Sequence, residues 1–363
     1  MKIALLNLPF DNNYGGNLQR YALIKVLQDM GHEVEHINLQ CNYSLPWYKY
    51  PYSIPKRIIR KYLLGQKNVD VLLEKHNKDI RKIIDANALA FYEKYIPHTF
   101  EVRNVSGIKK LLNSGNYDAV VVGSDQVWRE GMTHSIGCEN FFFKFVPDDI
   151  KKIAYSVSMG TNKNEYSAKQ TKMLAKLYAR FDAVSVREES ALKMFEENGW
   201  INPKAEWTLD PTLLLSSDDY LTLIKAREDV SDVTAGKIFC YALDMNESIK
   251  NELDSCGLPY VVNGLLDAGN VSIEQWLNNI RCCDMVITDS YHGVVFSIIF
   301  GKKFKFMGNA RRGNDRIDSL FSMLGIDENN TLDCDWNVIN ERICKLKEKS
   351  LSFLMTGLNS NRV

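Results

Sequence analysis

The sequence has no surplus charge of either sign, since Lys+Arg and Asp+Glu each total 45 of its 363 residues. A global electrostatic footprint for nucleic acid is therefore excluded, and any anion binding must come from local clusters. No apolar run approaches the roughly 18 residues of a membrane span. The longest candidate, "GVVFSIIFG" at 293–301, has the length of a buried helix. The opening "MKIALLNLPFDNNYGG" holds one lysine and few apolar residues before Asn7, too little for a signal peptide. A cytoplasmic chain is expected, with peripheral contact at the inner membrane face left open. None of the eight cysteines forms a C-x-x-C pair, which points to reduced thiols rather than disulfides or zinc. No Ser-His-Asp spacing and no clear pair of carboxylates emerges. Nothing supports a metal or a bound cofactor.

What the chain does have is alternation. "KIALLNL" reads as a strand, "PFDNNYGG" as a turn-rich loop, "NLQRYALIKVLQDMG" as a helix closed by Gly31, and "HEVEHINL" as a strand. This is a βαβ unit, and such units imply a parallel sheet. Residues 41–100 break the rhythm with Pro46, Pro51, Pro55 and Pro97 and many Tyr, Lys and Arg. They read as an insertion with helices near 56–64 and 69–93. The alternation resumes at "YDAVVV" and runs through "KKIAYSVSMG", "FDAVSVRE" and "AEWTLDPTLLL". A second series starts near Ser216. Its strands are "KIFCYAL", "PYVVNG", "DMVITD" and "KKFKFMG", followed by helices from about Asp315 to Leu324 and from Trp336 to about Leu354.

The expected fold is α/β, with two Rossmann-like domains facing a cleft. The expected division is 1–215, 216–330 and a C-terminal helical segment, 331–363, packing back on the first domain. In such sheets ligands bind beyond the carboxyl ends of the strands, so the loops there are the places to search.

Five of these loops carry chemistry. "NNYGGNLQ" offers Asn13, Tyr14, Gly15, Gly16 and Gln19 at a helix start, where amides can hold an anion or hydroxyls; the alternative is a tight turn. "GSDQVW" offers Ser124, Asp125 and Gln126 for sugar hydroxyls and Trp128 to stack on a sugar ring, or else an N-cap network beside a core tryptophan. "SVREES" places Arg187 past an apolar strand, where a guanidinium binds phosphate or carboxylate through two points, unless it pairs with Glu188 or Glu189. "TDSYHG" places His292 between the strand Met285–Asp289 and an apolar helix Gly293–Phe300, with a ring suited to proton transfer near neutrality. "NARRGNDR" packs Arg311, Arg312 and Arg316 together, a phosphate or carboxylate site or a solvated basic loop.

Taken in order, "NYGGNLQRYAL", "DAVVVGSDQVW", "FDAVSVREESALKMF", "LDPTLLL" and "ITDSYHGVVFSIIFGKKF" resemble the polysaccharide pyruvyl transferase family over about residues 1–325. The resemblance implies a glycosyltransferase-B-like arrangement. It implies phosphoenolpyruvate as donor, a glycan or lipid-linked sugar as acceptor, and a pyruvate ketal as product. Arg187 and His292 match the family's donor-site arginine and histidine, with Arg311 or Arg312 near a third basic position, and His292 is the candidate catalytic residue. Better-known branches carry Arg-Leu-His where this chain has Ser290-Tyr291-His292, so Ser290 and Tyr291 stand at the donor site without the arginine. The loops holding Asn13–Gly16, Gln19, Ser124–Gln126 and Trp128 fall to the acceptor. Two rival readings share the scaffold: a glycosyltransferase using a nucleotide sugar, and a non-catalytic glycan-binding relative.

Overall fold

The computed structural model describes residues 1–41, 45, 47–264, 270–308 and 314–360. Two parallel sheets organise the chain. The first holds β1 (Lys2–Leu6), β2 (Glu33–His36), β3 (Ala119–Val122), β4 (Lys151–Val157), β5 (Ala183–Val186) and β6 (Glu206–Trp207), in the order β2-β1-β3-β4-β5-β6. The second holds β7 (Ile238–Ala242), β8 (Tyr260–Gly264), β9 (Met285–Thr288) and β10 (Lys303–Phe306), in the order β10-β9-β7-β8. Every strand pair is parallel. The central strands are mostly apolar and buried because helices cover both faces; β3 is Ala-Val-Val-Val and fully buried.

Helix starts depart from the sequence reading in two places that matter for function. The first helix spans Tyr14–Asp29, so Tyr14, Gly15 and Gly16 form its opening turn rather than a loop. Asn13 is its N-cap, with the side chain accepting from the Gly16 amide. The helix after β9 spans Tyr291–Ile299, so His292 lies in its first turn and not at a strand–helix junction. Gly31 follows the first helix with φ +87°, a left-handed stop that a side chain would resist.

The insertion after β2 is helical at Tyr50–Ile58, widens by one turn over Ile59–Leu63, and continues as Leu73–Ile84 and Ala86–Tyr95. The single helix expected over 69–93 is thus two, divided at Asp85. Only the last piece enters the core, through Ala88, Phe91 and Tyr92.

The final helix, Trp336–Asn359, runs longer than expected and returns to the first sheet. Lys151 at the head of β4 donates to the Leu358 carbonyl at 2.6 Å. One continuous apolar core joins the two sheets: Leu5 and Leu18 from the first series belong to it with Tyr241, Trp276 and Phe296 from the second. All eight cysteines are free. Among the described residues no helix is long and apolar enough to cross a membrane.

Candidate active site

Two loop-to-helix junctions from different sheets meet at Gly15 and His292. An ideal Cβ on Gly15 would lie 1.9 Å from His292 Nδ1, so the imidazole rests directly on backbone. Only glycine permits that approach. His292 is itself held by a tight β9–helix turn. Ser290 caps the helix, its hydroxyl accepting from the Gly293 amide, and its own amide donates to Thr288 Oγ1 at 3.0 Å. A Cβ on Gly293 would strike that same Oγ1 at 2.3 Å. Asp289 accepts from the amides of Leu243 and Asp244, which fastens the β7 and β9 ends together.

Facing His292 is a buried ionic cluster. Arg187, 3% exposed, donates from one terminal nitrogen to Asp210 at 2.9 Å and from the other to Asp125 at 3.2 Å. The ion pair to Glu188 or Glu189 considered from sequence is not the one formed. Glu188 instead accepts from Ser158 and from the amides of Met159 and Gly160. Asp210 also accepts from Gln19 at 2.6 Å and from the Thr212 amide and hydroxyl. Its Oδ2 is 3.9 Å from His292 Nε2. Asp125 sits at φ +78°, just after Gly123, where a Cβ would meet the Tyr155 carbonyl at 2.1 Å. This crowded turn carries its carboxylate to Arg187. So a pair of carboxylates does exist, contrary to the sequence reading. Asp125 and Asp210 come from distant loops and converge on one guanidinium.

The Tyr291 ring lies beneath two cations, with the Arg187 guanidinium carbon 4.6 Å and the Arg316 carbon 5.8 Å from its centre. Among the described residues, the Nε groups of Arg187 and Arg316 and the Nε2 of His292 are buried without a hydrogen-bond partner. Burial lowers the His292 pKa to about 4; Asp210 opposes the shift and Arg187 adds to it. The ring is therefore neutral at neutral pH.

Above this cluster lies a cavity of about 300 Å³. Asn13, Asp125, Gln126 and Arg129 line it from the first series, and Ser290, Tyr291, His292, Asn314 and Arg316 from the second. Arg187 is not on that lining; it holds Asp125 and Asp210 from behind.

Four expected acceptor side chains lie elsewhere. Trp128 is fully buried, donates to the Phe141 carbonyl and stacks on Phe142 at 4.1 Å, so it has no face to offer a sugar. Ser124 is fully buried and donates to the Ser156 carbonyl. Tyr14 crosses to the second series, stacking on Trp276 at 5.3 Å and donating to the Val271 carbonyl at 2.8 Å. Gln19 serves Asp210 rather than an open cleft. A Cβ on Gly16 would meet nothing closer than Asn13 at 3.6 Å, so packing does not require glycine there. Arg311 and Arg312 lie outside the described residues. Sequence reasoning missed Asp210 and Arg129. Asp210 sits in "LDPTLLL", at a strand end before a proline, and that position was its only local signal.

The fold has known counterparts. A provisionally assigned UDP-N-acetylglucosamine 2-epimerase from Listeria monocytogenes superposes with a TM-score of 0.50 at 11% identity, covering 96% of this chain and 90% of that one. The UDP-GlcNAc 2-epimerase of Neisseria meningitidis, bound to UDP-GlcNAc, gives 0.49 at 12% identity, covering 99% and 100%. At 11% identity the Listeria likeness concerns the fold alone, a glycosyltransferase-B-like pairing of parallel sheets. A search of curated sequences returned no significant match. A model of the family described as polysaccharide pyruvyl transferase matches residues 13–310, which include the Gly15–His292 junction and the Arg187–Asp125–Asp210 cluster, and the chain belongs to that family.

Proposed function

We infer that the protein transfers a pyruvyl group from phosphoenolpyruvate to a sugar of a cell-surface polysaccharide or lipid-linked glycan precursor, leaving a pyruvate ketal. The observation that carries this reading is the meeting of a neutral, unpartnered His292 with cationic groups at one cavity. The donor bears a phosphate and a carboxylate. Arg316 on the lining supplies positive charge for one of them, and Arg129, which shares the lining and pairs with Glu165 at 3.2 Å, for the other, in the place of the arginine absent at Ser290. Asn13, Asp125 and Gln126 face the same space and suit acceptor hydroxyls.

Protonation of the donor's methylene carbon gives a methyl group and an oxocarbenium-like centre. A sugar hydroxyl attacks that centre, the C–O bond to phosphate breaks, and a second hydroxyl closes the ketal. The acceptor loses two hydroxyl protons; one ends on the methyl carbon and the other on phosphate. His292 is the group placed to move them. The arriving anion raises the imidazole pKa, so the ring that is neutral when empty can carry a proton when the donor is bound. The arginines stabilise the leaving phosphate without exchanging protons.

Calorimetric titration with phosphoenolpyruvate tests this. Saturable binding is expected. It should weaken by about 10- to 100-fold in Arg316→Ala, the loss of one charged hydrogen bond. His292→Ala should bind but not turn over; near-normal turnover would remove the role given to His292. Arg187→Ala is a poor probe, because it strands Asp125 and Asp210 as buried, unpaired charges. Heat from a nucleotide sugar and none from phosphoenolpyruvate would move the assignment to glycosyl transfer.

A further inference from the structure

Between Tyr48 and Lys67 the chain carries six Lys or Arg and no Asp or Glu, in a protein whose charges otherwise balance. The same stretch is unusually apolar at its surface. Tyr52 and Tyr62 are each 71% exposed, Leu63 77% and Leu64 64%, and Ile58 and Ile59 are also exposed. None of the residues of the helical pieces Tyr50–Ile58, Ile59–Leu63 and Leu73–Ile84 is buried. An amphipathic helical segment that buries nothing in its own protein has its apolar face unused.

We propose that this segment docks the enzyme on an anionic lipid bilayer. Both halves of the chemistry are present. Lys56 and Lys61 lie over the rings of Tyr52 and Tyr62, so aromatic and cationic groups are presented side by side, as an interfacial helix requires. Of the six cations only Arg57 has a carboxylate partner among the described residues. That pair, two short bonds to Glu74, clips the segment to the helix Leu73–Ile84 and holds the surface in one shape before any contact. The other five cations remain available to lipid phosphates.

Rival occupants fit less well. A second copy in a two-fold contact would set the cationic patch against itself. A nucleic acid would satisfy the charges but leave Ile58, Ile59, Leu63 and Leu64 in water. A bilayer interface takes both, with the leucines and isoleucines below the headgroups and the lysine stems reaching up to them.

The surface is joined to the site through two helices. The helix Ala86–Tyr95 continues directly from Leu73–Ile84 and packs on the first helix, whose opening turn touches His292.

Vesicle flotation of the full chain tests the proposal. Vesicles of phosphatidylcholine with about a third phosphatidylglycerol should carry the protein at low salt, and pure phosphatidylcholine should not. Lys56→Glu, Arg60→Glu and Lys61→Glu combined should lower the apparent affinity by about 100-fold or more. Leu63→Ser with Leu64→Ser should lower it by about tenfold. All five side chains have no role in the core, and circular dichroism confirms that the variants fold. No binding to the anionic vesicles overturns the proposal, as does binding that both variants leave unchanged. A wild-type dimer that Leu63→Ser with Leu64→Ser dissociates would assign the surface to self-association instead. An oligonucleotide that binds as tightly as the vesicles, indifferent to the serine variant, would assign it to nucleic acid.

Discussion

A methyl group added at Gly15 would land on the imidazole of His292, 1.9 Å from Nδ1. The imidazole must move or the two series must part, and displacement of a reacting group by about 1 Å costs on the order of 100-fold in rate. Gly15→Ala is expected to lower kcat by about that factor, while Gly16→Ala, with no contact closer than 3.6 Å, stays within about tenfold; steady-state assays on both separate the two. His292 also predicts a pH dependence of stability. Its folded pKa is near 4, below the unfolded value near 6.5, so between these values the unfolded chain binds more protons. The neutral ring's contribution is whole above pH 6.5 and is lost as pH falls towards 4, by about 3 kcal/mol at most. Denaturant titrations at pH 4.5 and 7 should show a smaller difference in His292→Gln than in the wild type. Equal differences would mean that the ring is not desolvated. At this scale the sequence was partly legible. A histidine beside an apolar helix draws notice through its chemistry. Asp210 does not, because its meaning depends on Arg187, Asp125 and Gln19, which only folding brings to it. Trp128 shows the converse, since an aromatic after a strand reads the same whether it faces a cleft or a core.

Elements follow their local signals closely where those signals are apolar. Buried parallel strands appear as short apolar runs, and β3, β4, β5, β7 and β9 all lie within the runs read from sequence. Helix starts were less legible. "NNYGG" has the composition of a turn, yet Asn13 caps a helix that begins at once. The C-terminal helix was read as ending near Leu354, but it continues to Asn359 because Gly357 lets it press on the first sheet. A Cβ at Gly357 would come 2.8 Å from Ala183 Cβ and 3.2 Å from Ile153 Cδ1. Gly357→Leu should therefore destabilise the protein by about 1–3 kcal/mol through overpacking, against little change for Met355→Ala on the exposed side. Thermal melts of both variants measure it, and an unshifted Gly357→Leu would show that this helix does not bear on the sheet.

The continuous core should make the whole molecule unfold as one unit. Tyr14 is the plainest bond between the halves, because it reaches from the first helix into Trp276 and Val271. Tyr14→Phe should cost about 1 kcal/mol, for a hydrogen bond, and Tyr14→Ala about 3–5 kcal/mol, for a buried ring. Urea unfolding followed by circular dichroism and by tryptophan fluorescence should coincide in the wild type. Two separated transitions would show that the sheets fold independently. The two α/β series were evident in the alternation of strands and helices, but their joint core was not, since periodicity reports which face is buried and not against what. The charge pattern has a last consequence. The chain sums to zero, so the six cations between Tyr48 and Lys67 leave six excess negative charges on everything else. A molecule lying with that segment on an anionic surface turns a negative back to the solvent. That back attracts the cationic segment of the next molecule as the lipid did the first, so at low salt a second layer can build on the first, held by charge alone and lost first as salt rises.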